Sequence, residues 1–485
     1  MLKLYNSLTR KKQTFRPIND KKVGLYTCGV TAYYMPHVGN MIAYMKWDVL
    51  KRLLIHDGYE VTHVENITDV GHLVSDADTG EDKLRLEAEK EHKSMRETAD
   101  FYTKAFLEDC RLLNVIPPTV MPKATDHIKD MLDLLEKLDA KGYLYKAQDG
   151  IYFDTSKFKG YGKLTGTSFK RLNAELKSGA RVEKVEGKRN ITDFVVWRFA
   201  HGDEKEMIWD SKWGRGFPGW HLECSAMSMK YLGNHFDMHC GGIDHLQIHH
   251  PNEIAQSEGA TGEKFVNYWL HENFLLMDGQ KMSKSLRNIY TINDIVAKGY
   301  SPMALRLFLI SGQYRQQQNF TFEALTNAEN TIKGIYSFLQ RVTDTKNKNE
   351  NSDTKEFKKK MTAYKKKFFK ELNDDLNMPA AMANLHAIIS ETNARSVLNR
   401  KESRTVLKAL LEIDTVLGLG FDKHVTVKQP LDKEIKKLVD EREEARKRKD
   451  FKRSDEIRNM LKEKYHILLE DTDKGVRWYR EGYTS

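Results

Sequence analysis

Apolar positions set the first elements. Val23 to Thr27 reads as a strand, and Ile42, Met45, Val49 and Leu53 then recur at helical spacing before Gly58, a residue suited to ending a helix. Val61 to Val64 reads as a second strand. Strand, turn, helix and strand make a βαβ unit, the building block of a parallel sheet whose ligands sit beyond the carboxyl ends of the strands. Cys28, Gly29, Thr68 and Asp69 fall at those ends.

From about Pro117 to Ala200 the pattern is mixed, with a helical stretch at Leu132 to Leu138 and a short strand at Gly150 to Phe153. It reads as an insertion between two halves of one sheet. Strand and turn patterns resume at Trp209 and continue past Gly242, and Ser283 to Asn288 is a polar loop. Beyond it Leu325, Ala328, Ile332, Ile335, Leu339 and Val342 hold to one helical face, which predicts a bundle. Thr343 to Lys359 reads as a solvated linker, and helical stretches follow around Tyr364, Phe368, Leu372 and Leu376 and again from Ala381, until Gly418 and Gly420. From about Leu431 a highly charged helix pair precedes a strand at Ile467 to Glu470. There is no internal repeat.

The pattern predicts an α/β chain: a Rossmann-like parallel-sheet catalytic domain split by an insertion, then a helical bundle and a small mixed C-terminal domain. The expected division is 1–116 and 205–270 for the two sheet halves, 117–204 for the insertion, 271–322 for the loop and stem-contact region, 323–424 for the bundle and 425–485 for the tail.

A chain of 485 residues suits several domains, and an excess of 79 Lys and Arg over 69 Asp and Glu, for a net charge of +10, suits a polyanionic partner. The dense basic runs lie after residue 340. Four cysteines, Cys28, Cys110, Cys224 and Cys240, are too few for a disulfide framework, which points to a reducing compartment. No apolar run approaches a membrane span, and the start lacks the apolar stretch of a secretory signal, so a cytoplasmic location is expected.

Two short segments carry phosphate chemistry. His37-Val38-Gly39-Asn40 lies between a strand end and a helix start, where backbone N–H groups and the helix dipole favour an anion. Alone it is more often a plain helix entry. Lys281-Met282-Ser283-Lys284-Ser285 puts two lysines and two hydroxyls on a loop, a set able to follow the moving charge of a triphosphate. Together the segments resemble the HIGH and KMSKS signatures of class I aminoacyl-tRNA synthetases, with Asn40 in place of the second histidine.

Metal chemistry is suggested by His249 and Glu253, four apart in a helical segment and so on one face. Cys28 and Cys224 fall at a strand end or tight turn beside the same pocket, and His250 is expected to point elsewhere. The stretches Cys28-Gly29-Val30-Thr31, Asn66-Ile67-Thr68-Asp69, Gly219 to Met227 and His249 to Ser257 resemble the cysteinyl-tRNA synthetase family over nearly the full chain.

That resemblance implies one zinc per chain on Cys28, Cys224, His249 and Glu253, with magnesium accompanying ATP. It implies cysteine contacts at Gly29, Thr68 and Trp220, and ATP contacts at His37, Gly39, Asn40, Asp244, Lys281, Ser283 and Lys284. Of these His37, Asn40, Lys281 and Lys284 are the expected catalytic set. Its substrates would be L-cysteine, ATP and tRNA(Cys), handled by a monomer. The tail, with Arg446 to Lys449, Phe451 and Trp478, resembles the family's anticodon module. Departures are Cys240, Ile243, Pro251 and Phe217, with Cys240 expected to be a small wall residue. Two alternatives are a ligase coupling cysteine to an amino sugar, which lacks the tail module, and a non-catalytic zinc and RNA-binding protein, which would not need both lysines.

Overall fold

Four parallel strands position the site, in the order Val266–Glu272, Phe236–Gly242, Lys22–Thr31 and Glu60–Thr68. They belong to a computed structural model that describes residues 1–71, 82–167, 171, 187–202, 205–282, 286, 288–345, 347, 353–425, 433–465, 467–472 and 475–480. The Lys22–Thr31 strand connects through the Val38–His56 helix to its neighbour on one side. Phe236–Gly242 joins on the other side and connects through the His249–Thr261 helix to the outer strand Val266–Glu272. The strand order thus reverses between Lys22–Thr31 and Phe236–Gly242, and a crevice opens outside the carboxyl ends of those two strands.

Buried strands on both faces explain the run of Val23, Leu25, Tyr26, Val64, Ile67, Met238 and Leu270, all apolar and enclosed. The insertion forms its own antiparallel sheet of Leu144–Lys146, Gly150–Phe153, Phe194–Phe199 and Gly216–Pro218, which runs past residue 204 and hands the chain directly to the Trp220–Leu232 helix. Helices Lys83–Glu91 and Met95–Leu112, which the sequence pattern did not mark, pack on one another and add Leu84, Ala88, Ala99, Tyr102 and Phe106 to the core, with Phe106 against Tyr44 of the Val38–His56 helix. Charged residues between those apolar positions mask the period.

Beyond the sheet come helices Phe322–Thr343, Thr354–Leu372, Met378–Asn393 and Arg400–Leu417. The expected linker is shorter than its polarity suggests, because helix begins at Thr354. Phe357, Met361, Phe368 and Leu372 bury one face while lysines cover the other. The bundle and the sheet share a single apolar core. Arg306, fully buried on helix Pro302–Ser311, ties them together: it donates to Asp48 Oδ2 at 2.5 Å, Leu113 O at 2.7 Å and Leu417 O at 2.7 Å. The tail is the helix pair Lys433–Lys447 and Phe451–Tyr465 with strands Ile467–Thr472 and Gly475–Arg480 around a small core of Ile435, Val439, Ile457 and Leu461. No described helix is long and apolar enough to cross a membrane.

Candidate active site and metal centre

Cys28 and Gly29 reach the crevice through a bulge. The Lys22–Thr31 strand slips register against Glu60–Thr68 between Thr27 and Val30, so the extra residue re-aims this end of the strand. Gly29 N–H donates to Asn66 Oδ1 at 2.9 Å, and a β-carbon at Gly29 would overlap the Asn66 carbonyl oxygen, so only glycine fits. Asn66 then spans the pocket floor. Its Nδ2 donates to Thr68 Oγ1 at 3.2 Å, and its Oδ1 lies 3.7 Å from Cys224 Sγ. The Thr68 hydroxyl in turn donates to the buried Glu223 at 2.7 Å.

Four candidate metal ligands converge, with Cys224 inside the Trp220–Leu232 helix and not at the strand end or tight turn expected. The ligand atoms of Cys28, Cys224, His249 and Glu253 all lie within 4.8 Å of one another. A tetrahedral zinc with sulfur and nitrogen ligands asks for ligand separations of roughly 3.3 to 3.8 Å, so small adjustments complete the cage. His249 Nε2 stands 3.1 Å from Glu253 Oε1, yet both atoms are buried without a hydrogen-bond partner among the described residues. Their other polar atoms are engaged: His249 Nδ1 lies 2.9 Å from His221 Nδ1, and Glu253 Oε2 is 2.8 Å from His239 Nε2. Such outer contacts orient ligands and leave their inner lone pairs directed at one point.

Electrostatics agree with that geometry. Burial drives the Cys28 thiol well above its ordinary value, raises the Glu253 carboxyl and lowers His249 to about 3. Each group is pushed to its neutral form, and only a cation among them would favour the anions. The set is a Cys, His and Glu site compatible with zinc.

His250 does not point elsewhere as expected. Its Nε2 lies 3.4 Å from Cys28 Sγ, and Cys28, His239, His250 and Glu253 form a second converging group. The bulge places Cys28 between consecutive histidines of the first helical turn. In that second group His239 Nε2 is held by Glu253 at 2.8 Å, so the first group offers the better-freed donors. Cys240 is buried in the core and paired in register with Thr27 and Leu270.

Trp220 opens the Trp220–Leu232 helix, and its ring stands 4.5 Å from that of His249, walling the metal cluster. Asp244 is exposed on the turn after Phe236–Gly242. His37 caps the Val38–His56 helix by accepting from Gly39 N, while Asn40 Oδ1 accepts from His37 N–H at 2.8 Å. Met282, a described residue of the second signature segment, meets the first. A β-carbon at Gly39 would lie 2.5 Å from Met282 Sδ, and Val38 N–H donates to Tyr290 O at 2.9 Å. Lys281 is exposed on the short strand Gln280–Lys281, whereas Ser283 and Lys284 lie outside the described residues. Asn66, His221, His239 and Glu223 were missed as site residues. The stretches Asn66 to Asp69 and Gly219 to Met227 mark the first, second and fourth, but their contacts cross 28 to 158 residues of chain.

Residues 14–330 match the family of class I (C) tRNA synthetase catalytic domains, and residues 367–422 match the DALR domain. Solved structures share the fold: a Mycobacterium tuberculosis methionyl-tRNA synthetase in complex with methionyl-adenylate aligns with a TM-score of 0.62 at 16% identity, over 83% of this chain and 93% of that one. A LeuRS–tRNA–LeuAMS complex of Agrobacterium radiobacter aligns with a TM-score of 0.59 at 11% identity, over 86% of each chain. The switch-point crevice and its paired signature segments are those of a class I tRNA synthetase.

Nearer relatives narrow the class. A cysteine–tRNA ligase of Treponema denticola is 42% identical over 98% of this chain and 99% of its own. One of Thermus thermophilus is 40% identical over 99% of each. The chain belongs to the cysteine–tRNA ligase family.

Proposed function

We propose that the crevice joins L-cysteine to ATP as cysteinyl adenylate and then transfers the cysteinyl group to the terminal ribose of tRNA(Cys). The observation that carries this reading is the meeting of Cys28, Cys224, His249 and Glu253 at the end of the strand that leads into the Val38–His56 helix. Zinc, when bound, supplies ionisation of a coordinated thiol and a preference for sulfur over a hydroxyl oxygen. Discrimination by so specific a contact reaches several orders of magnitude, which removes the need for editing against serine.

The chain's residues do the remaining work. Cys28, Cys224, His249 and Glu253 hold the ion, while Gly29, Thr68 and Trp220 shape the space for the amino acid and exclude water. The cysteine carboxylate attacks the α-phosphate in line and pyrophosphate leaves; the terminal ribose hydroxyl then attacks the adenylate carbonyl and AMP leaves. His37, Gly39 and Asn40, at the positive end of a helix, steady the phosphates, and Lys281, Ser283 and Lys284 stabilise charge that develops in the transition state. Asp244 holds the ribose, and magnesium accompanies the nucleotide. The tail from 425 onward reads the anticodon, and the enzyme acts in the cytoplasm as a monomer. Pyrophosphate exchange driven by each amino acid in turn tests the reading. Exchange with cysteine alone, abolished by a zinc chelator and restored by zinc, is expected; equal exchange with serine overturns it.

A further inference from the structure

The Val266–Glu272 strand ends on a carboxylate that the reaction above leaves unused. Glu272 is only 6% exposed, and its Oε2 has no hydrogen-bond partner among the described residues. Lys46, the cation whose field reaches it, donates instead to Gly312 O at 2.6 Å and Gln318 Oε1 at 3.4 Å. A buried carboxylate oxygen without a donor is costly, so one at the carboxyl end of a parallel strand is a group that a ligand's donor completes. Burial, and then the charge of Asp244, push the Glu272 carboxyl well above the ordinary range, and hydroxyl donors would bring it back down.

Its place in the fold selects the ligand. Glu272 pairs in register with Gly242 at the carboxyl ends of two neighbouring parallel strands. A β-carbon at Gly242 would lie 3.3 Å from Glu272 Oε1 and would overlap Asp244 Oδ1. Both carboxylates therefore reach the same side of one glycine, Glu272 buried and Asp244 exposed. Adjacent acceptors repel a phosphate and suit a ligand that presents adjacent donors. In a site for ATP that ligand is the ribose diol.

We propose that Glu272 is a second nucleoside-binding carboxylate, accepting from the ribose diol of ATP on the buried side while Asp244 accepts on the open side. This rests on the reading of Asp244 as the ribose acid. Cysteine-dependent pyrophosphate exchange is measured with ATP, 2′-deoxy-ATP and 3′-deoxy-ATP on the parent enzyme, Glu272→Ala, Glu272→Gln and Asp244→Ala. Glu272→Ala is expected to raise the KM for ATP about tenfold and to lose the parent's preference for ATP over one deoxynucleotide. Its KM for cysteine and its zinc content should stay those of the parent. Glu272→Gln, which keeps an acceptor, should retain part of the preference, and it carries the test if the alanine variant does not fold. A parental ratio of ATP to both deoxynucleotides in the Glu272 variants overturns the assignment, as does a loss that added magnesium repairs. If Asp244→Ala alone keeps full discrimination against both deoxynucleotides, the reading of Asp244 fails, an outcome the Glu272 arms do not mimic.

Discussion

Each proposed metal ligand depends on a neighbour that fixes its direction. His221, set against His249 at 2.9 Å, turns the inner nitrogen of that ring toward the cysteines. Replacing it by alanine should weaken zinc affinity about 10- to 100-fold, measured by competition with a chromogenic chelator. Cys224→Ser should cost more than that and suppress cysteine-dependent exchange, while ATP affinity stays near the parent's; unchanged exchange would remove the metal from substrate binding. Gly29 is equally constrained. A methyl group at that position meets the Asn66 backbone, so Gly29→Ala should lower the unfolding free energy by about 1 to 3 kcal/mol and displace Cys28, both readable from denaturant midpoint and zinc content. The candidate metal pair His249 and Glu253 was legible because four residues make about one helical turn. Asn66 and His239 gained their roles only where the sheet folded, since no local spacing links residue 66 to residue 224.

Among elements, the Val38–His56 helix carries two duties along one axis. Its first turn faces the crevice, and its middle bears Asp48, which accepts from Arg306 and from Arg52 Nε at 2.7 Å. Burial alone would raise the Asp48 carboxyl, but Arg306 and then Arg52 overrule it and hold it below the ordinary value. Removing one partner of a buried pair leaves a charge uncompensated, so Arg306→Ala should cost about 3 to 5 kcal/mol at pH 7. The sign with pH follows from the depressed carboxyl. Its stabilisation is present above the unfolded-state value of about 3.9 and fades as pH falls through the lower folded-state value. The gap between parent and variant in urea midpoint should therefore narrow in acid; a gap that widens below pH 4 would contradict the pairing. At this scale the βαβ unit and the Phe322–Thr343 helix were readable from apolar spacing. The start of Thr354–Leu372 was not, because Lys355, Lys358, Lys359 and Lys360 hide a buried Phe357 and Met361.

For the molecule as a whole, chemistry and RNA reading are assigned to different ends of the chain. Every residue given to adenylate formation lies before Arg287, and the tail has its own core. Truncation before Leu431 should spare zinc binding and exchange while tRNA charging falls and binding loses salt dependence, provided circular dichroism shows the rest folded. Equal losses in both activities would make the tail a support for the sheet. The fold class was legible because a parallel sheet needs buried strands and crossover helices. The shared core between sheet and bundle was not, since Arg306, a charged residue in an apolar helix, gives no sign in sequence that it will be enclosed.

Cys28, Cys224, His249 and Glu253 are proposed to hold one metal ion that receives the thiol of the substrate. Cobalt in place of zinc makes this visible, because each bound thiolate adds a charge-transfer band. The parent protein should bind one cobalt with the signature of two thiolates, and cysteine, but not serine, should add a third contribution. A spectrum that cysteine leaves unchanged, at a concentration that supports exchange, would contradict the account.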